Sequence, residues 1–99
     1  MLFAIFGRDV PNSTDLRRQM RPAHLERIQA LRDNGRLVLA GPHPAVASAE
    51  PGPAGFTGSL IVAEFASLAD AQDWARQDPY AARGVFADVQ VLPFIQVLP

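Results

Sequence analysis

The order of the patterned segments constrains the fold of this chain more than any other feature of its sequence. Four short apolar runs are typical of strands, and two longer stretches carry helix start and stop signals. Glycine, proline, asparagine and aspartate residues separate the segments. The strands are expected at residues 2–6, 36–40, 59–65 and 85–97, and the helices at 14–34 and 67–77. This order predicts an α+β, ferredoxin-like fold (βαββαβ), with a four-stranded antiparallel sheet and two helices on one face.

Three features bear on where the segments begin and end. Pro22 lies inside the first predicted helix, where a proline removes one backbone hydrogen bond, so a kink or a helix start near Arg21 is an alternative. Residues 41–58 are rich in proline, alanine and glycine and are expected to form one long loop. Pro93 is expected to interrupt the last strand.

Composition limits the classes of function. With 99 residues and 48% hydrophobic residues, we expect one globular domain over residues 1–99. A net charge of −1 gives no electrostatic basis for binding nucleic acid or an anionic membrane. The chain has no cysteine, which excludes thiolate chemistry and fits the cytoplasm. The N-terminal apolar run is only five residues long, far shorter than a signal peptide or a spanning helix.

The second face of the predicted sheet requires a cover. Two helices can cover only one face, yet residues 37–40 and 60–63 are apolar on both faces of their strands. Large contiguous apolar surfaces are rare on monomers, and twofold dimers are the commonest assemblies. The sequence therefore predicts a homodimer through the uncovered sheet face, in the manner of a dimeric α/β barrel.

His24 lies in the apolar stripe of the first predicted helix. At about 100° per residue, this imidazole points the same way as the apolar side chains of that helix. The stripe consists of Leu16, Met20, His24, Ile28 and Leu31. A buried imidazole must find a hydrogen-bond partner and titrates near neutral pH. It is therefore either a satisfied core residue or an acid–base group.

Two arginines share the helix face of His24. Spacings of four and three residues place Arg17, Arg21 and His24 within about 60° of one another. A guanidinium suits a carboxylate or phosphate, so Arg17 and Arg21 are candidates for binding a small anionic ligand. The alternative is that they lie on a solvated face of the helix.

Five short motifs, in order along nearly the whole chain, resemble those of the YCII-related family. They are Arg21-Pro22-Ala23-His24-Leu25, Gly35-Arg36-Leu37 leading to Ala40-Gly41-Pro42, Gly55-Phe56-Thr57-Gly58-Ser59, Asp78-Pro79-Tyr80 and Pro93-Phe94. The resemblance implies a ferredoxin-like fold, a dimer built through the sheet, and a site centred on a histidine and an aspartate. It also implies distant kinship with muconolactone isomerases and a chloromuconolactone dehalogenase.

On this resemblance, Asp78 is the preferred acidic partner of His24, and Asp9 is the second candidate. Either residue has an alternative role as a turn former. A carboxylate on one ring nitrogen would fix the tautomer and leave the other nitrogen to act as a general base.

The remaining polar residues are assigned smaller roles. Ser59 is a candidate hydrogen-bond donor to substrate, and Tyr80 either places its hydroxyl in the pocket or packs beside Trp74. His43, between two prolines, is expected to be exposed. With two histidines and no cysteine, we expect neither a metal site nor another cofactor.

The sequence leaves three hypotheses about function. The first is an enzyme acting on a small anionic lactone or carbonyl compound, as an isomerase, lyase or dehalogenase with His24 as general acid–base. The second is a non-enzymatic dimeric protein that binds a metabolite or accompanies another enzyme. The third makes His24 a structural core residue, and the two neighbouring arginines argue against it.

Overall fold

The computed structural model describes all residues from 1 to 99 and has the predicted ferredoxin-like fold. Three helices accompany a four-stranded antiparallel sheet with strand order β2-β3-β1-β4. A single 3₁₀ turn, Gly52–Ala54, lies in the loop between β2 and β3. The elements are β1 (Leu2–Asp9), α1 (Thr14–Asp33), β2 (Leu37–Pro44), β3 (Phe56–Glu64), α2 (Leu68–Gln77), α3 (Pro79–Ala82) and β4 (Phe86–Phe94).

The core lies between one face of the sheet and the two longer helices. Directly paired residues point to the same face, so Ile61, Ile5 and Val91 form one row across β3, β1 and β4. Ile28 and Leu31 of α1 pack onto that face from the helix stripe. Nine buried apolar residues form the cluster: Phe3, Ile5, Ile28, Leu31, Ile61, Ala63, Phe65, Ala71 and Ala75.

The prediction of one loop over residues 41–58 is wrong, because β2 continues to Pro44 and β3 begins at Phe56. β2 is an edge strand, where a residue without a backbone N–H is tolerated. Pro42 pairs with Ser59 within this ladder. Pro93 likewise does not interrupt β4, which also lies at an edge, and that strand ends at Phe94 rather than at residue 97.

α1 is continuous from Thr14 to Asp33 in spite of Pro22, so the alternative start near Arg21 is wrong. Its buried face differs in part from the predicted stripe. Leu16 and Met20 are only half-buried, whereas Arg17 is buried. A charged side chain thus replaces an apolar one at the N-terminal end of the stripe.

The other face of the sheet carries an apolar patch that is uncovered in the protomer, beside the exposed Arg8–Asp88 ion pair. Phe6, Leu39, Leu92 and Phe94 lie on it and are between 37% and 47% exposed. Ala4, opposite Leu92 on β4, is at the centre of the same face. None of the three helices combines the length and the hydropathy that a membrane-spanning helix needs.

Candidate active site

His24 and Asp78 form a buried pair between α1 and the junction of α2 with α3. The imidazole Nδ1 lies 2.7 Å from Asp78 Oδ2, and the side chains are 8% and 3% exposed. A carboxylate can only accept, so Nδ1 carries the proton in this contact. In the neutral imidazole, Nε2 is then the nitrogen with the free lone pair. Of the two acids that the sequence left open, Asp78 is the one that contacts His24.

Asp78 is held by the start of α3. Pro79 occupies the first position of this four-residue helix, and Asp78 Oδ2 accepts from the backbone N–H of Tyr80 at 3.0 Å as its N-cap. Arg27 Nη1 donates to the other carboxylate oxygen at 3.3 Å. The Arg27 guanidinium itself lies over the Trp74 ring, 4.3 Å from its centroid. These contacts fix the direction in which the carboxylate meets the imidazole.

Tyr80 forms one wall of the His24 site. Its ring stacks on the imidazole with a centroid separation of 3.8 Å and an interplanar angle of 7°. The phenol oxygen lies 3.4 Å from the Arg17 carbonyl oxygen, and the residue is 1% exposed. Burial raises the pKa of the Tyr80 hydroxyl above its ordinary value, an effect that the nearby Arg17 and Arg21 guanidinium groups oppose. Tyr80 also packs edge-on against Phe86, whereas Trp74 packs against Phe65.

Arg17 and Asp9 form a second buried pair, next to the first. Arg17 donates from Nε to Asp9 Oδ2 at 2.6 Å and from Nη2 to Oδ1 at 3.2 Å. Ser13 also donates to this carboxylate, at 2.6 Å. Arg17 Nη2 further donates to Ser59 Oγ at 2.7 Å and to the Gly58 carbonyl oxygen at 2.8 Å. Asp9 therefore pairs with Arg17 rather than with His24.

A cleft of about 350 Å³ opens between α1 and the β2–β3 edge of the sheet. His24, Ser59 and Tyr80 border it at one end together with Arg17 and Arg21. His24 Nε2 has no hydrogen-bond partner within the protein. Since every buried polar side-chain atom has such a partner, Nε2 is accessible, and the space that His24 borders is the cleft. Arg21 makes no ion pair within the protein. Five of the seven predicted site residues thus border one cleft, and the other two, Asp78 and Asp9, contact His24 and Arg17 without bordering it.

Comparison with protein-family models identifies the chain. The model of the YCII-related domain matches residues 1–95. The chain belongs to the YCII-related family. The resemblance carried by the short motifs is thereby confirmed.

Relatives in the family cover nearly the whole chain. Protein YciI of Escherichia coli O6:H1 (strain CFT073) is 55% identical over 97 residues, which are 98% of this chain and 99% of the relative. An uncharacterized protein of Haemophilus influenzae (strain KW20) is 47% identical over the same shares.

A solved enzyme structure shares the fold. It is the 5-chloro-2-hydroxyhydroquinone dehydrochlorinase of Burkholderia phenoliruptrix AC1100, in complex with 2,5-dihydroxybenzoquinone. The two chains are 26% identical with a TM-score of 0.83, and the match covers 96% of this chain and 94% of the enzyme.

The sequence interpretation missed Arg27. It lies three residues after His24 on α1, so helical spacing places both side chains toward the same neighbour, and this was the available signal. The spacing cannot show that Trp74 of α2 and Asp78 at the α2–α3 junction contact Arg27. His43 lies exposed in β2 and does not border the cleft.

Proposed function

We propose that this protein is a general acid–base enzyme that acts on a small anionic lactone or carbonyl compound, with His24 as the group that moves the proton. The observation that carries the proposal is the imidazole held at Nδ1 by Asp78, with Nε2 open to the cleft. Fixing one ring nitrogen in this way sets the tautomer needed for a base.

In the proposed reaction, His24 Nε2 removes a proton from a carbon or hydroxyl that is next to the substrate carbonyl or conjugated with it through a C=C bond. The electron pair released forms a new double bond. In an elimination, halide then leaves with its bonding pair, so that the substrate loses one proton and one halide ion. In an isomerisation, His24 instead returns the proton to a different carbon, and no atom is lost. Asp78 stabilises the imidazolium formed in either case, without itself taking the proton.

Arg21 and Ser59 are the proposed substrate-binding groups. Arg21 has no ion-pair partner in the protein and borders the cleft, so its guanidinium is available for a carboxylate or enolate. The Ser59 hydroxyl accepts from Arg17, which leaves its own proton to donate to a substrate oxygen. Arg17 is engaged with Asp9, and we assign it the role of positioning Ser59.

The name of the structural neighbour supports the reaction class. A dehydrochlorinase removes the elements of hydrogen chloride, which requires a base next to a departing halide. We therefore propose halogenated hydroxyquinols and small unsaturated lactones as the first compounds to test.

The test compares two histidine variants. His24→Asn removes the base and keeps a polar side chain, whereas His43→Asn changes the exposed histidine away from the cleft. On any compound that the wild type turns over, measured by halide release or product absorbance, we expect His24→Asn to lower kcat by about 100- to 10,000-fold. The His43→Asn variant should retain wild-type turnover.

Equal turnover by the wild type and His24→Asn would overturn the proposed mechanism. If instead compounds bind in the cleft and none gives product, the alternative of a metabolite-binding protein is favoured. Binding without turnover is recognised by ligand-dependent shifts of the His24 ring signals in NMR spectra.

We also propose that two copies form a homodimer through the uncovered sheet face. The apolar side chains Phe6, Leu39, Leu92 and Phe94 support this interface, because they are exposed in the protomer and lie together around the buried Ala4. A second copy offers the same apolar surface by symmetry.

A further inference from the structure

The cleft continues past the His24 end as a mostly apolar groove. Its walls there come from Leu25 and Ile28 of α1 and from Leu37, Ala40 and Ile61 of the sheet. These five side chains carry no polar atom. The chemistry assigned to His24, Arg21 and Ser59 uses only one end of this space.

The length of the groove follows from the elements that line it. Arg21 and His24 lie at one end of the cleft-lining part of α1, and Gln29 and Arg32 lie at the other. From His24 to Arg32 is eight residues, or about 12 Å along a helix. β2 runs the opposite way beside it, since Leu37 follows the end of α1 and Pro42 pairs with Ser59 near the His24 end.

We propose that the ligand has two parts, a polar anionic head beside His24 and an apolar arm that lies along this groove toward Arg32. This inference rests on the proposed function, since the head is the part that reacts. The cleft volume of about 350 Å³ lies within the range of pockets that enclose whole drug-sized ligands. A ligand made of a single reacting ring would therefore leave the apolar groove empty. An apolar wall favours hydrocarbon there because burial removes it from water.

Chain length is the variable that tests the arm. Sodium acetate, butyrate, hexanoate and octanoate carry the same carboxylate head on progressively longer arms. Binding is followed by the NMR signals of the His24 ring, with the exposed His43 as an internal reference, since the chain has two histidines. For the wild type we expect affinity to rise by up to about fourfold per added CH₂ group, and to stop rising once the groove is full.

Three variants locate the arm. Ala40→Leu fills the groove and should abolish the gain in affinity with length. Leu25→Ala removes part of its wall, should lower the gain per CH₂, and avoids overpacking if Ala40→Leu folds poorly. Ala30→Leu adds the same side chain at an exposed position of α1 outside the cleft and should keep the wild-type gain.

Each outcome decides one part of the account. Equal affinity for all four salts at the His24 site overturns the arm and leaves the anionic head standing. A gain with length that survives in both Ala40→Leu and Leu25→Ala overturns the assignment to this groove. If none of the salts moves the His24 signals, both the arm and the proposed anionic head are wrong.

Discussion

Tyr80 is the side chain whose ionisation the protein changes most clearly. Burial raises the pKa of its hydroxyl, and the phenol lies against the α1 backbone rather than in water. The stack on His24 therefore presents a neutral aromatic ring to the imidazole at any pH below this raised pKa. A neutral ring can lie against either the imidazole or the imidazolium, so this wall need not move during proton transfer.

The raised pKa of Tyr80 predicts how stability changes at alkaline pH. The folded protein keeps this proton at a pH where the unfolded chain, with an ordinary tyrosine pKa near 10, has lost it. The contribution to stability is thus fully present below about pH 10 and is lost as pH rises through the higher folded pKa.

Two measurements check this prediction. The chain has a single tyrosine, so tyrosinate absorbance reports Tyr80 alone. We expect its ionisation in the folded protein at higher pH than in urea, and a loss of unfolding free energy over the same pH interval that is absent in Tyr80→Phe. Identical ionisation in the folded and unfolded states would contradict the burial of this hydroxyl.

At the level of elements, the sequence predicted which segments form strands and helices better than it predicted where they end. Hydrophobic periodicity identified α1 and the four strands, because those patterns follow directly from burial on one side. It ended β2 at Gly41-Pro42, since proline is unfavourable inside a sheet. That rule does not hold for an edge strand, and only the strand order of the folded sheet shows that β2 is an edge strand.

In the candidate site, too, features within one element were easier to predict than contacts between elements. His24 and the neighbouring arginines were predictable because they share one helix, whose geometry fixes their relative positions. The preference for Asp78 over Asp9 came from the family resemblance and not from spacing, because each acid approaches α1 from a different element. Arg27 was missed for the same reason. Contacts between distant segments require the three-dimensional fold.

Pro22 carries a prediction for α1. It lies exposed in the ninth position of a continuous 20-residue helix, where its missing N–H leaves one carbonyl without an intrahelical partner. We expect Pro22→Ala to raise the free energy of unfolding by about 1–3 kcal/mol in urea titrations. Gln19→Ala, at another exposed position of the helix, should change it by less than about 0.5 kcal/mol. A loss of stability in Pro22→Ala would show that the proline serves a packing role here.

For the whole molecule, the open sheet face predicts the assembly. Phe6→Asp places a charge within the proposed interface, where desolvating it without a partner is costly. In analytical ultracentrifugation at micromolar concentration we expect a dimer for the wild type and a monomer for this variant. Leu68→Asp changes an apolar residue of similar exposure at the start of α2 and should remain dimeric. A monomeric wild type would exclude this interface.

Proton transfer by His24 is the central claim, and deuterium exchange tests it without requiring a complete reaction. Muconolactone is incubated with the protein in D₂O, and NMR follows the hydrogen on the ring carbon that bears the ring oxygen and the acetate arm. A base can remove this hydrogen because the ring C=C bond conjugates the resulting carbanion with the lactone carbonyl. We predict that the wild type and His43→Asn replace this hydrogen with deuterium faster than buffer does, and that His24→Asn does not. Exchange at the wild-type rate in His24→Asn, or no exchange above buffer in the wild type on this and the other proposed compounds, would contradict the account.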